Sequence, residues 1–323
     1  MSTTRKTRIG MTGLCLGIAL LAGFASAAGV FFRGDGATAA AVSLRGEHTT
    51  YATTGVYRYN AERLVAEGVG WDIVTLFVAV PALLGALPFL ARGSLRGRLF
   101  AAGLLGYLFY QYLMYALMWA FGPLFLVFVA LYSASLVGVV WIASTIPLAE
   151  LAAGASERFP RRGMATFSLA MAALLVLMWT QRIATGLSGQ LQGLLHGQPT
   201  LVVQALDLGL IVPLAVFTGV ALLQRRPAGY LLSSLFVVKG FTMAVAIAAM
   251  LLSAWAVEGA LEVVPLAIFT AAAVVALLLG AGIFGAVAEP AMRAGGPTER
   301  SRRAASPGPV APPARHVGAP APG

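Results

Sequence analysis

Long apolar runs recur along the whole sequence, and they restrict the fold more than any other feature. Hydrophobic residues make up 59% of the chain and charged residues 11%, whereas soluble domains carry about 25% charged residues. Each run holds roughly twenty residues, enough for a helix to cross a hydrocarbon core about 30 Å thick. The runs are continuous and do not alternate with a period of two, which excludes a β-barrel. We therefore predict an all-α integral membrane protein.

Eight such runs can be placed, and polar or basic segments separate them. The predicted transmembrane helices, numbered as spans 1 to 8, cover residues 9–32, 71–91, 99–121, 124–147, 163–186, 200–224, 230–255 and 263–287. The predicted membrane domain is 9–288, and a basic segment, 1–8, precedes it. Residues 289–323 are rich in Pro, Gly, Ala and Arg, a composition typical of disordered tails.

The first run has a second interpretation. Ala25, Ser26 and Ala27 form a small-residue sequence of the type that follows the apolar core of a signal peptide. The run continues to Phe32, however, and is long enough to span. We favour a retained helix, and cleavage of residues 1–27 is the alternative.

Positively charged residues are unevenly distributed among the predicted loops. With both termini in the cytoplasm, sixteen Lys and Arg residues fall in cytoplasmic segments and five in the opposite segments. This is the positive-inside pattern, and it predicts a multi-pass protein of the plasma (inner) membrane. Topology thus explains the net charge of +10, so the predicted partner is the lipid bilayer and not a nucleic acid.

Residue types that bind metals or cofactors are sparse. Cys15 is the one cysteine, which excludes a disulfide within the chain. His48, His196 and His316 are far apart in sequence and lack the spacing of a metal site. The sequence also lacks a Gly-rich phosphate loop and the HExxH and GxSxG motifs. We predict no metal and no cofactor, and the sequence does not indicate an oligomeric state.

Two stretches, 70–98 and 206–226, share one plan. Each begins near an acid, Asp72 or Asp207, continues with an apolar run containing an early proline, and ends on arginines. This predicts two parallel four-helix repeats, 9–149 and 163–288, related by an axis along the membrane normal. The alternative is that any eight-helix protein obeying the positive-inside rule looks periodic. The two prolines differ by three positions relative to their acids, which counts against the repeat.

Lys239 is an ionisable residue well inside a predicted span. It lies 13 residues after Arg226, or about 20 Å from the cytoplasmic side. Asp207 would lie about 27 Å from the same side, within reach of an extended lysine side chain. Charges inside a bilayer are costly and usually face a partner or a cavity, so a buried Asp207–Lys239 pair is predicted. The alternative is structural: the pair fixes helix register, or Lys239 extends toward the interface.

Two more charged residues lie at predicted span ends. Asp72 would sit at the N-terminus of span 2, where an acid can cap free N–H groups and favours the helix dipole. Its neighbour Trp71 would anchor the helix at the interface, and Arg182 would do so at the outer end of span 5. The functional alternative places Asp72 and Arg182 at a ligand pocket.

Span 3 has the most unusual composition of the eight. Tyr107, Gln111 and Tyr115 fall on one helix face. Tyr110, Met114 and Met118 fall on the neighbouring face. The tyrosine hydroxyls need hydrogen-bond partners, and helix–helix bonds to Tyr132, Ser133 and Ser135 of span 4 are one prediction. The alternative is an aromatic pocket that opens outward with Asp72 at its rim.

These features resemble those of uncharacterised multi-spanning inner-membrane proteins of bacteria. The shared features are an acid that opens a span at Asp72, the RGSLRGR loop at 92–98, and a tyrosine-rich helix before the Gly122-Pro123 turn. The resemblance covers residues 55–255. It implies a location rather than an activity.

Three classes of function are compatible with these observations. The first is small-molecule transport or ligand binding in an outward-facing pocket, with an unknown small or lipophilic ligand. The alternatives are an intramembrane enzyme that acts on a lipophilic substrate, and a scaffold subunit of a membrane complex. The pocket hypothesis predicts that Asp72, Tyr115, Asp207 and Lys239 line one water-accessible cavity, and it adds the following candidates: Tyr107, Gln111 and Arg182.

Overall fold

The computed structural model describes residues 4–43 and 45–289. Within these ranges, eight helices are long and apolar enough to cross a membrane. Their bounds, for spans 1 to 8 in order, are Arg5–Phe31, Glu62–Arg92, Leu95–Met118, Phe125–Ser144, Arg161–Leu187, Val202–Leu223, Pro227–Glu258 and Val263–Ala286. The prediction of an all-α polytopic membrane protein with eight spans is confirmed. The predicted tail, 289–323, lies outside the described residues except for Glu289.

Span 1 is an integral part of the bundle. It begins at Arg5, where the side chain of Thr4 accepts a hydrogen bond from the backbone N–H of Thr7, so the predicted basic segment 1–8 is partly helical. Met11, Cys15 and other small or apolar side chains of this helix are buried against spans 2 and 4.

The segment 33–70, predicted as a polar loop, contains regular structure. Strands β1 (Thr38–Val42) and β2 (His48–Ala52) form an antiparallel hairpin, which the sequence did not predict. Span 2 then begins at Glu62, nine residues before the predicted start. The predicted boundary is wrong because the charged residues near the start of span 2 do not belong to a loop. Arg63 pairs with Glu67 on the same helix and with two acids at the ends of distant helices, Glu258 and Glu262.

The two ends of the bundle differ in chemistry. At one end lie the hairpin and the 188–201 loop, and we call this the hairpin end. At the other, the arginine end, Arg96 donates to the carbonyl of Val287 (2.8 Å), and a short helix, Leu148–Gly154, follows span 4. Span 3 is the central helix, since 72% of its most apolar stretch is buried, against 44% or less in every other span.

Spans 2 and 6 share an irregularity. Each contains one π-helical turn, Thr75–Ala79 in span 2 and Asp207–Ile211 in span 6. A π-helical turn bonds residue i to i+5, and such turns occur often at functional sites. In both helices a Val-Pro dipeptide follows directly and the α-helix resumes.

Further features of the two halves align with these turns. The turns after spans 2 and 6 place Gly93 (φ 78°) and Arg225 (φ 56°) in the left-handed conformation. The helices that follow begin at Leu95 and Pro227. In each of these pairs, the residue in or after span 6 comes 132 positions after its counterpart in or after span 2. This holds for the π-helical turns, the prolines, the left-handed residues and the helix starts. In this alignment Asp207 corresponds to Thr75, and Asp72 to Gln204.

Candidate functional site

A cavity of about 720 Å³ lies in the half of the bundle nearest the hairpin end. Spans 2, 3, 5, 6, 7 and 8 supply its walls, and residues of the 188–201 loop lie at its mouth. Along span 7 it extends from Leu251 to Phe236, a distance of about 22 Å at the rise of an α-helix. Span 5 packs along span 6, and its Phe167 and Met171 pack against alanines of spans 7 and 8.

The walls of the cavity are mainly apolar and adaptable. Six methionines line it: Met114, Met118, Met171, Met178, Met243 and Met250. Aromatic side chains line it as well, among them Trp71, Tyr110, Phe167, Trp179 and Phe269. Methionine has a flexible, polarizable side chain that fits irregular apolar shapes, and aromatic walls with a few polar groups are typical of small-molecule sites.

The polar groups inside the cavity form one linked set. Asp207 Oδ1 accepts a hydrogen bond from Tyr110 Oη (2.5 Å), and Oδ2 accepts one from Trp179 Nε1 (2.8 Å). Lys239 Nζ lies 4.6 Å from the centre of the Tyr110 ring, in a cation–π geometry. The predicted direct Asp207–Lys239 ion pair is not found among the described residues; instead, both side chains contact Tyr110.

The ammonium group of Lys239 has no acidic partner in the part of the chain that the structure describes. The ion pairs found there, at a limit of 4.0 Å, all involve Arg63. Both oxygens of Asp207 are already bound to neutral donors. Lys239 is therefore a cation that faces an apolar cavity and is partnered by an aromatic ring.

The mouth of the cavity is held by a network centred on Arg63. Its guanidinium donates to Glu67 (2.9 Å), Glu258 (2.5 Å) and Glu262. Glu258 ends span 7 and Glu262 precedes span 8, so the network ties span 2 to both. Arg182, also at the mouth, donates to the carbonyl of Leu194 (2.8 Å) in the 188–201 loop.

A contact between the hairpin and the 188–201 loop covers the mouth. The buried carboxylate of Glu47 accepts hydrogen bonds from the backbone N–H groups of His196 and Gly197, both at 3.0 Å. These two residues are left-handed (φ 49° and 75°), and consecutive N–H groups in such turns form an anion-binding concavity. We call Glu47, His196 and Gly197 the lid contact.

His196 is uncharged at neutral pH. Burial lowers its pKa to about 4, and the nearby guanidinium groups of Arg63 and Arg182 act in the same direction. Glu47 and Glu262 oppose the shift but are outweighed. The imidazole therefore adds no positive charge to the mouth.

Asp72 lies in a sealed cluster beside the cavity, and Tyr115 borders both. Its side chain is 0% exposed, and Tyr57 Oη donates to its Oδ2 at 2.5 Å. Tyr115 Oη donates to the carbonyl of Gly68 (3.1 Å) and lies 3.4 Å from Asp72 Oδ1. Span 1 closes the cluster at Gly29, where a Cβ atom would overlap Asp72 Oδ2. We call this set the Asp72 cluster.

Two predictions for Asp72 are wrong. It does not lie at a helix N-terminus, because span 2 begins ten residues earlier at Glu62. It does not lie at the rim of the cavity either, since Tyr57, Tyr115 and Gly29 enclose it. Trp71 is 5% exposed and stacks on Tyr107 with ring centres 6.2 Å apart, so it is not an interfacial anchor.

Tyr107 and Gln111 also lie outside the cavity. Thr75 Oγ1 donates to Gln111 Oε1 (2.7 Å) and lies 2.9 Å from Tyr107 Oη. The predicted bonds from the span 3 tyrosines to span 4 are wrong: the hydroxyls bond to spans 1, 2 and 6, and Ser135 Oγ has no hydrogen-bond partner in the described residues.

Four of the seven predicted pocket residues therefore line the cavity: Tyr115, Arg182, Asp207 and Lys239. Asp72, Tyr107 and Gln111 do not. Sequence reasoning missed Trp179 and the role of Tyr110. Both had a signal, because Tyr110 shares its helix face with two methionines, and Trp179 precedes Arg182 by three residues in MWTQR.

Comparison of the chain with protein-family models, with curated proteins and with solved structures finds no match. Among the described residues, no cluster of three or more His, Cys, Asp or Glu side chains is placed to hold a metal ion.

Proposed function

We propose that the protein binds a lipophilic small molecule in the hairpin-end cavity. The observation that carries this proposal is a mainly apolar cavity of about 720 Å³ inside a membrane domain, with Asp207 and Lys239 among its lining residues. Ligand sites commonly have volumes of about 300–1,000 Å³ and a small number of polar groups. Ionisable groups inside a membrane domain are costly and are a usual mark of such sites.

The proposed orientation has the hairpin end outside the cell and the arginine end in the cytoplasm. The excess of Lys and Arg in the arginine-end segments supports this orientation. The cavity would then open toward the outer surface of the plasma (inner) membrane, the location that the sequence resemblance also implies.

Transport of the ligand is a second candidate function, and the paired π-helical turns favour it. Spans 2 and 6 carry the same irregular turn, followed by the same dipeptide, at positions 132 residues apart. We take this as support for two parallel repeats. Transporters often combine internal repeats with interrupted helices that form the substrate site, and the turn at Asp207 lines the cavity.

Photoaffinity labelling tests the binding proposal. The probe is a hexadecanol derivative with a diazirine on its chain, added to the full chain in nanodiscs and mapped by mass spectrometry. The expected result is saturable labelling around Met171 and Met243, which line the cavity, with competition by unlabelled hexadecanol. Labelling of Leu277 and Leu278, exposed on span 8, should be non-saturable.

A matched pair of variants provides the control. Met243→Trp should block labelling by filling the cavity, whereas Leu277→Trp, which adds the same ring on the outer surface of span 8, should leave it unchanged. Labelling confined to the outer surfaces of the helices, equal in both variants, would contradict the proposal.

A further inference from the structure

The length of the cavity favours an elongated ligand. Along span 7 the cavity extends for about 22 Å, which is comparable with the length of an extended hexadecyl chain.

The charge inside the cavity restricts the head of that molecule. Lys239 Nζ lies over the Tyr110 ring, and in the described residues it has no carboxylate within 4.0 Å. The nearby Asp207 is engaged through both oxygens by Tyr110 and Trp179. A group with one negative charge would therefore gain a charge-assisted hydrogen bond from Lys239 without displacing an existing ion pair.

The position of Lys239 restricts how the molecule lies. On span 7 the cavity runs from Leu251 near the mouth to Phe236, and Lys239 is one turn from the inner limit. The methionines Met243 and Met250 lie between Lys239 and the mouth on the same helix. A chain whose head lies at Lys239 would thus run back toward the mouth over apolar side chains.

We infer that the ligand is a lipophilic carboxylate with a long hydrocarbon chain, whose carboxylate group binds Lys239 and whose chain is directed toward the hairpin end. This inference rests on the proposed binding function and adds the chemical class and the orientation of the ligand. The carboxylate fits because the ammonium group of Lys239 can donate to it directly. The negative charge of Asp207 opposes this binding, and both oxygens of Asp207 are held by Tyr110 and Trp179. Arg182 at the mouth is the competing position for the head, and it already donates to the loop carbonyl of Leu194.

Competition against the hexadecanol photoprobe tests the inference. Palmitate and hexadecanol are compared as competitors at equal mole fraction in the nanodisc, at neutral pH so that the ammonium group of Lys239 keeps its charge. In the native chain palmitate should compete more strongly, by about tenfold to a hundredfold, the value of one hydrogen bond to a charged group. Lys239→Met should abolish this preference, and Lys239→Arg should retain most of it.

Hexadecanol competition shows in each variant whether the cavity has folded, so loss of the acid preference cannot be confused with misfolding. Arg182→Gln is the matched control at the mouth and should retain the preference. Equal competition by acid and alcohol in the native chain would overturn the inference, as would a preference lost in Arg182→Gln and kept in Lys239→Met. In both cases the binding function would stand, whereas failure of both competitors would refute that function itself.

Discussion

Asp72 and Asp207 occupy similar local structures but very different surroundings. Asp72 lies three residues before the π-helical turn of span 2, and Asp207 is the first residue of the turn in span 6. Each carboxylate accepts hydrogen bonds from aromatic side chains instead of pairing directly with a cation. Asp72 is fully enclosed because Gly29 lets span 1 approach it closely. Asp207 lines the cavity, and Trp179 of span 5 covers it on one side.

The comparison shows that a buried acid in a membrane helix does not by itself mark a ligand site. What separates the two acids is the space beside the carboxylate, which Gly29 and Tyr57 fill at Asp72 and which is part of the cavity at Asp207. The Asp72 cluster should therefore contribute to stability, and Asp207 should contribute to binding.

Removal of the Asp72 carboxylate should have the largest effect on stability. Asp72→Ala leaves the hydroxyls of Tyr57 and Tyr115 in a sealed site with a lost acceptor, and we expect a loss of about 3 kcal/mol in the free energy of unfolding. Asp207→Ala should cost about 1 kcal/mol, because its donors face the cavity. Unfolding by SDS in mixed micelles measures both values. Equal losses would remove the distinction between the two acids.

Closing the space beside Asp72 should have the next largest effect. Gly29→Ala inserts a Cβ atom that overlaps Asp72 Oδ2 and Tyr57 Oη, and overpacking of this kind costs about 2 kcal/mol. Gly17→Ala, on the same helix with nothing within 4 Å of the added atom, should be neutral or stabilising by up to about 1 kcal/mol. The same unfolding assay applies. If Gly17→Ala were destabilised as much as Gly29→Ala, the loss could not be assigned to the overlap with Asp72 and Tyr57 at Gly29.

Acidic pH should loosen the lid contact. The pKa of His196 is lowered to about 4 by burial, whereas in an opened lid it would return to its ordinary value of about 6.5. Between these values the open state binds the proton and the closed state does not, so closure weakens as pH falls from about 6.5 to about 4 and is unaffected above that window. We expect a loss of about 1–2 kcal/mol, after allowance for partial solvent screening.

Hydrogen exchange of the 188–201 loop at neutral and acidic pH measures this effect. His196→Asn is the matched control, because Asn also tolerates the left-handed conformation and does not titrate in this range. The variant should lose the pH dependence of exchange. A pH dependence retained in His196→Asn would assign it to another group.

The smallest expected effect concerns the neutral polar residues that accompany the two acids. Thr75→Val removes the hydroxyl that bonds to Gln111 and Tyr107 in the sealed core, at a cost of about 1 kcal/mol. Gln204→Leu, at the cavity wall, should change the free energy of unfolding by less than about 0.5 kcal/mol. A larger loss in Gln204→Leu than in Thr75→Val would reverse the comparison.

The membrane architecture was predictable from the sequence, because an apolar run of about twenty residues has few alternatives to a spanning helix. All eight spans are found where apolar runs occur. The start of span 2 was not predictable, since Arg63 and Glu67 look like loop residues until Glu258 and Glu262, nearly two hundred positions later, are placed beside them. Long-range pairing of this kind leaves no local signal.

The candidate site was predictable in part. Lys239 and Asp207 were identified because charges are rare in apolar runs. The same reasoning selected Asp72, and it failed there because the approach of span 1 at Gly29 depends on tertiary packing. The structure also explains why the spacing from acid to proline differs by three residues between spans 2 and 6. Asp72 aligns with Gln204, and Thr75 aligns with Asp207. The acid therefore occupies the first of these two positions in span 2 and the second in span 6.

Cysteine accessibility tests most directly whether the cavity is open while the Asp72 cluster is sealed. In a Cys15→Ala background, Met243→Cys places a thiol on the cavity wall, and Val74→Cys places one two residues from Asp72 at a site 4% exposed. A water-soluble methanethiosulfonate reagent should modify the first at least about tenfold faster than the second, and palmitate should slow that reaction. Equal rates at the two positions, or no protection by palmitate or hexadecanol at Met243→Cys, would contradict the account.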